Sequence, residues 1–132
     1  MSDRVLDASA VVLALAGKTP DAEALRARLP EMRRHAPHLI DAEVGNVLRR
    51  HEAAGRISPE EADAARGACQ VIIEHRYPHT GPLSEAAWAL RHQLSFYDAL
   101  YVALAARLGI SLVTADRRLG RAPGLPCDFE LV

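Results

Sequence analysis

The sequence predicts one α/β domain, a three-layer α/β/α sandwich with a central parallel sheet over residues 1–132. Three observations predict it. Short apolar runs alternate with helix-period segments along the whole chain. The crossovers between successive runs are a dozen residues or more, the length that parallel strands require. No Pro-, Gly- or Ser-rich linker divides the chain, and 132 residues suffice for one core without staples.

Taken in order, Arg4–Asp7 is a strand, and Ser9–Ala16 is an apolar helix ended by Gly17. Pro20-Asp21 opens a helix to Leu29, with Ala22, Leu25 and Leu29 at helical spacing. His38-Leu39-Ile40 is the second strand candidate. Asp41 to Ala54 is a helix with Val44, Val47, Leu48 and His51 on one face, stopped by Gly55. Ser58 with Glu61 three residues on is a capping box, and it starts the next helix. His75 to Thr80 is irregular, with room for a short third strand. Leu83 to Leu94 is a helix with Ala86, Leu90 and Leu94 inward. "SFYDALYVALAARLG" is a helix closed by Gly109, and "ISLVTA" is the clearest strand. A short helix follows over Asp116–Arg121, and Phe129–Val132 is a last edge strand. Trp88 and Phe96 are expected in the core rather than as platforms for stacked bases.

The composition narrows the function classes. A hydrophobic fraction of 49% is ordinary for a globular chain, and no apolar run approaches a membrane span. Asp3 and Asp7 interrupt the N-terminal stretch, which therefore does not read as a signal peptide. Cys69 and Cys127 fit neither a disulfide framework nor a zinc spacing, and they are expected as reduced thiols in a cytoplasm. The net charge is −1, and Lys18 is the only lysine among 16 basic residues. Arginine suits bidentate phosphate contacts, although the codon usage of a GC-rich genome gives the same bias.

Four carboxylates stand where strands end or helices begin. Asp7 ends the first strand, Glu43 lies in the first turn after Leu39-Ile40, Asp98 begins the "YDALYVALAA" helix, and Asp116 follows Leu112-Val113-Thr114-Ala115. Each alone reads as a helix cap or a partner of the macrodipole. Together they read differently. In a parallel sheet the carboxyl ends of all strands share one edge, where such folds place their sites, so acids from different strand ends converge. The helix after Asp98 is apolar on nearly every face, which partly buries Asp98. Clustered carboxylates either take up protons or hold a cation, and all-oxygen ligands suit a hard divalent ion. A carboxylate-held Mg²⁺ or Mn²⁺, as one ion or two, activates water and neutralises a phosphodiester.

The hydroxyls of Ser9 and Thr114 lie two residues from Asp7 and Asp116. They can bind a water on the metal or a substrate phosphate, or serve as caps. Asn46, one turn beyond Glu43, can orient that carboxylate or stand solvated. Setting four of the 17 acidic residues aside leaves 13 against 16 basic ones, a net of about +3 outside the pocket. Such a surface can hold nucleic acid through its phosphates. The candidate patches are Arg49-Arg50, Arg117-Arg118 and Arg33-Arg34, each of which also reads as a solvated face. The six histidines form no metal spacing.

"VLDASAVV", "DAEVGNVLRR", "WALR", "SFYDALYVALAARLG" and "LVTADRRLGRAPG" together resemble the PIN-domain ribonucleases, specifically the VapC-type toxins of bacterial toxin–antitoxin pairs. The resemblance runs from one end of the chain to the other and is weakest over residues 18–36. It implies Asp7, Glu43, Asp98 and Asp116 as the catalytic, metal-binding set, with Thr114 or Ser9 assisting. It also implies Mg²⁺ or Mn²⁺, endoribonuclease activity, a homodimer, and inhibition by a cognate VapB-type antitoxin. Transfer RNA or ribosomal RNA is the substrate that the family's habit suggests.

Other readings fit less well. A response-regulator receiver needs an acidic pair after the first strand and a late lysine, and here Asp7 stands alone. A haloacid-dehalogenase-type phosphatase needs Asp-x-Asp, which Asp7-Ala8-Ser9 lacks. No Walker or Gly-x-Gly-x-x-Gly loop is present. The remaining alternative is a non-catalytic PIN fold that binds RNA or a protein partner, against which the retention of all four acids argues.

Overall fold

The computed structural model describes residues 1–132. Five parallel strands form one sheet: β1 (Ser2–Leu6), β2 (Met32–Pro37), β3 (His75–Tyr77), β4 (Ser111–Thr114) and β5 (Phe129–Leu131), in the spatial order β3-β2-β1-β4-β5. The order reverses between β1 and β4, where Val5 is in register with Leu112 and Leu6 with Val113. This reversal is the topological switch point of an open α/β sheet, the place outside the strand ends where a crevice opens.

Seven helices cover the sheet: α1 (Ala8–Ala16), α2 (Pro20–Arg28), α3 (Leu39–Ala53), α4 (Pro59–Ile72), α5 (Pro82–Trp88), α6 (Phe96–Leu108) and α7 (Arg117–Arg121). The helix α1 packs against α2, α3 and α4, while α6 packs against α5 and across β1, β2 and β4. The contacts of α1 with α2, α3 and α4 group the first four helices, and α5 packs with α6; the right-handed rule for parallel crossovers places the two groups on opposite faces. The core lies between these layers, with Val5, Leu6, Leu112 and Val113 wholly buried. No helix is long and apolar enough to cross a membrane.

The ends of α1 and α6 position the site. Asp7 caps α1 by accepting the Ala10 N–H at 3.0 Å, and Gly17 ends the helix. A Cβ on Gly17 would lie 2.4 Å from the Leu13 carbonyl oxygen and 2.8 Å from Ala22 Cβ, so the tight passage into α2 requires glycine. Ser95 caps α6 by accepting the Asp98 N–H at 3.2 Å. Residues Ala99–Ala105 are all buried, and Gly109 closes the helix at φ 67°. A helix buried on every side holds its first turn, and so Asp98, in a fixed place. The Ser58–Glu61 capping box forms as expected.

Two elements depart from the sequence reading. The second strand is Met32–Pro37, and His38-Leu39-Ile40 instead enters α3. The polar run Arg33-Arg34-His35 does not look like a strand because its partners come from elsewhere. Arg33 binds Asp3 with two bonds of 3.1 Å, and His35 sits between Asp3 at 2.8 Å and the Tyr77 hydroxyl at 2.7 Å. Arg34 donates to the carbonyls of Leu29, Met32 and Ile72. These contacts occupy Arg33-Arg34, which therefore do not form a free basic patch.

The second departure is α5, which ends at Trp88, after which the chain turns through i→i+3 bonds such as Arg91 N–H to Trp88 O. Trp88 is 56% exposed rather than in the core, with the Arg91 guanidinium 4.8 Å from its ring centre and Phe96 edge-on at 6.2 Å. Phe96 itself packs against the core as expected.

Candidate active site

A cleft of about 610 Å³ opens over the carboxyl ends of β1 and β4, and all four sequence-predicted acids line it. Asp7 follows β1, and Asp116 follows β4 and caps α7. Asp98 comes from the first turn of α6. Glu43 comes from the second turn of α3 rather than from a helix N-terminus, because α3 begins earlier than the sequence suggested.

Asp7 is the most tightly held of the four. It is only 6% exposed, and its Oδ1 accepts from the Ser9 hydroxyl at 2.6 Å as well as from Ala10 N–H. Its Oδ2 accepts from Thr114 Oγ1 at 2.5 Å. The two hydroxyls are anchored in turn: Ser9 Oγ accepts the Ala115 N–H at 2.9 Å, and Thr114 Oγ1 accepts the Asp116 N–H at 3.0 Å. Thr114 is wholly buried behind Asp7, so it serves the carboxylate and does not reach the cleft. Asp116 accepts from the backbone N–H groups of Arg118 at 2.9 Å and Leu119 at 3.4 Å. The capping readings of Asp7 and Asp116 are therefore correct and coexist with their place in the cleft.

Three of the four acids are pushed toward their protonated forms. Burial is the main cause raising the pKa of Asp7, and the hydrogen bonds from Ser9, Thr114 and Ala10 only partly oppose it. Burial also raises Glu43, opposed by the nearby Tyr101 hydroxyl and reinforced by the charges of Asp98 and Asp7. Asp98 is raised by burial and then by the charge of Asp116. The one cationic side chain paired with an acid of this set is Arg118, 3.5 Å from Asp116 and 91% exposed. The donor set is open rather than a closed cage, since no three His, Cys, Asp or Glu side chains stand close enough to enclose an ion. Its chemistry is all oxygen and anionic, which suits a hard divalent cation with room left for water or substrate.

The basic candidates divide. Arg50 and Arg118 line the cleft, whereas Arg49 and Arg117 do not. Asn46 is exposed and accepts from Arg49 Nε at 3.1 Å, and it does not orient Glu43. Sequence reasoning missed two lining residues, His51 and Tyr101. His51 is one turn beyond Val47 on the same face of α3. Tyr101 is three residues from Asp98 in an otherwise Ala/Leu/Val helix, and that spacing was the signal available.

The PIN domain family model matches residues 4–125. The chain is 54% identical over 132 residues to Ribonuclease VapC1 of Mycobacterium tuberculosis, an alignment covering 100% of this chain and 99% of that one. Among solved structures it is similar to PAE2754 from Pyrobaculum aerophilum, with a TM-score of 0.73, 24% identity, and 97% and 89% of the two chains covered. It is also similar to VapBC2 from Rickettsia felis bound to a DNA fragment from its promoter, with a TM-score of 0.71, 14% identity, and 98% of each chain covered. The two structural likenesses support the three-layer fold, and the family match and the full-length identity together place the chain in the PIN-domain family, among the VapC ribonucleases.

Proposed function

We propose that the protein is a Mg²⁺- or Mn²⁺-dependent endoribonuclease and the toxin of a type II toxin–antitoxin pair. The observation that carries this reading is the convergence of Asp7, Glu43, Asp98 and Asp116 on one cleft at the switch point of the sheet. Those four carboxylates would hold the ion between them, some through bound water, and when bound it supplies charge neutralisation at the phosphodiester and a water of lowered pKa.

The remaining chemistry belongs to the chain. Ser9 and Thr114 fix both oxygens of Asp7, so its geometry is set before any ligand arrives. Arg50 and Arg118 present guanidinium forks that match phosphate oxygens on the RNA backbone. Val12, Leu13 and Val47 line the cleft beside the acids and give it an apolar wall. The relative's name, Ribonuclease VapC1, supports RNA as the substrate. The solved VapBC2 complex supports a VapB-type antitoxin as the partner. Such an antitoxin would reach the acidic cleft with a basic side chain and bury apolar residues against the adjoining helices. A homodimer acting in the cytoplasm completes the reading.

Induced expression in bacteria tests it. The wild-type chain should arrest growth and fragment cellular RNA, and Asp7→Asn, Glu43→Gln, Asp98→Asn and Asp116→Asn should each restore growth at equal protein level. Growth arrest by two of these variants at wild-type strength would overturn the assignment.

A further inference from the structure

Tyr101 is 1% exposed, and its phenolic oxygen is the one buried side-chain polar atom in the structure with no hydrogen-bond partner. It lines the acidic cleft, on the same face of α6 as Asp98. Burying a hydroxyl without a partner is unfavourable, and the surrounding helix residues are all apolar, so packing alone would be better served by phenylalanine.

Glu43 has the complementary deficit. Asp7 is fixed by three donors and Asp116 by two backbone N–H groups. Glu43, on a longer arm with three rotatable bonds, has no helix cap, no ion-pair partner and no help from Asn46, which is bonded to Arg49. Both residues line the one cleft. Burial raises both pKa values; the Tyr101 hydroxyl then opposes the rise at Glu43, and the charge of Glu43 adds to the rise at Tyr101. No hydrogen bond joins the two in the structure, although both side chains line the same cleft.

We propose that Tyr101 is the positioning residue for Glu43, donating its phenolic O–H to the Glu43 carboxylate and so fixing the rotamer in which that carboxylate faces the cation. The inference rests on the carboxylate–metal reading of the cleft. It assigns to an α6 residue the orienting role that the sequence had offered to Asn46. Partners that orient a metal-binding carboxylate contribute about 10–100-fold to metal affinity when removed by mutation.

The test is Mn²⁺ binding to the intact protein, followed by calorimetry or by the electron paramagnetic resonance of free Mn²⁺, for wild type, Tyr101→Phe, Glu43→Gln and the double variant. Tyr101→Phe keeps the ring and the packing of α6, so in chelator it should still melt in one cooperative transition close to the wild-type temperature. It should bind Mn²⁺ about 10–100-fold more weakly than wild type. In the Glu43→Gln background the same substitution should cost much less, because the carboxylate it positions is gone. Wild-type Mn²⁺ affinity in Tyr101→Phe, or an equal loss in both backgrounds, would overturn the role of Tyr101 while leaving the metal site standing. A wild-type protein that binds no Mn²⁺ would overturn the metal reading, and this inference with it.

Discussion

Thr114 Oγ1 donates to Asp7 Oδ2 at 2.5 Å across two neighbouring parallel strands, and the same oxygen accepts the Asp116 backbone N–H at 3.0 Å. One buried hydroxyl thus joins the two acids that flank the switch point. The arrangement follows from the register: Leu6 pairs with Val113, so the next residues on each strand, Asp7 and Thr114, emerge side by side at the sheet edge.

Thr114→Val keeps the shape and removes both bonds. It leaves one carboxylate oxygen and one backbone N–H short of a partner in a buried place, which costs about 1–3 kcal/mol. Urea unfolding should register that loss, and Thr114→Ser should recover most of it. An unchanged midpoint for the valine variant would mean that the hydroxyl does not support Asp7.

The second prediction concerns pH. Burial raises Asp7, Glu43 and Asp98 above the ordinary carboxylate range, with neighbouring acids adding to it. A carboxyl with a folded pKa above its unfolded value binds more protons in the native state, so stability falls as pH rises from the unfolded to the folded value. Asp3 acts in the opposite sense. Arg33 and then His35 lower its pKa, so its contribution is present above the unfolded value and lost as pH falls through the folded one. In chelator, the melting temperature should therefore rise as neutral solution is made weakly acidic, then fall on stronger acidification. Asp98→Asn should flatten the first limb and melt at or above wild type at neutral pH. Asp98→Ala should do the same, because the cap of α6 is Ser95 Oγ and not the Asp98 carboxylate. A loss of about 0.5–2 kcal/mol in Asp98→Ala, the usual cost of a lost cap, would contradict this.

The third prediction separates the arginines. In an Asp7→Asn background, expected to bind RNA without cutting it, Arg50→Ala and Arg118→Ala should each weaken single-stranded RNA binding. Each should also lower the slope of log K against log salt by about 0.7–1. Arg49→Ala and Arg117→Ala, outside the cleft, should leave affinity and slope nearly unchanged. Equal effects from all four would point to a diffuse basic surface instead of a cleft-directed path.

Much of this arrangement was legible in the sequence because it depends on strand ends. Apolar runs mark β1 and β4, and in a parallel sheet an acid directly after each run must reach the same edge. The early strand β2 was hidden because Arg33, Arg34 and His35 are satisfied by Asp3, Tyr77 and distant carbonyls, partners that no local pattern displays. The same error delayed the start of α3 and put Glu43 one turn too early. Trp88 was misplaced because the period of α5 continues past the point where the backbone turns into i→i+3 bonds. Tyr101 was overlooked because a lone tyrosine in an apolar helix reads as packing, and only its unpartnered oxygen distinguishes it.

The central claim, that the four acids hold a cation for RNA cleavage, is tested most directly by stripping the purified protein of metal and following cleavage of a single-stranded RNA. The stripped protein should be inactive, and Mg²⁺ or Mn²⁺ should restore cleavage to wild type. Magnesium should also raise the wild-type melting temperature, by the equivalent of roughly 2.7 kcal/mol at about 100 times Kd, and much less in Asp98→Asn. Cleavage that persists in excess chelator, or that Asp7→Asn and Asp98→Asn perform at the wild-type rate after removal of contaminating nuclease, would contradict the account.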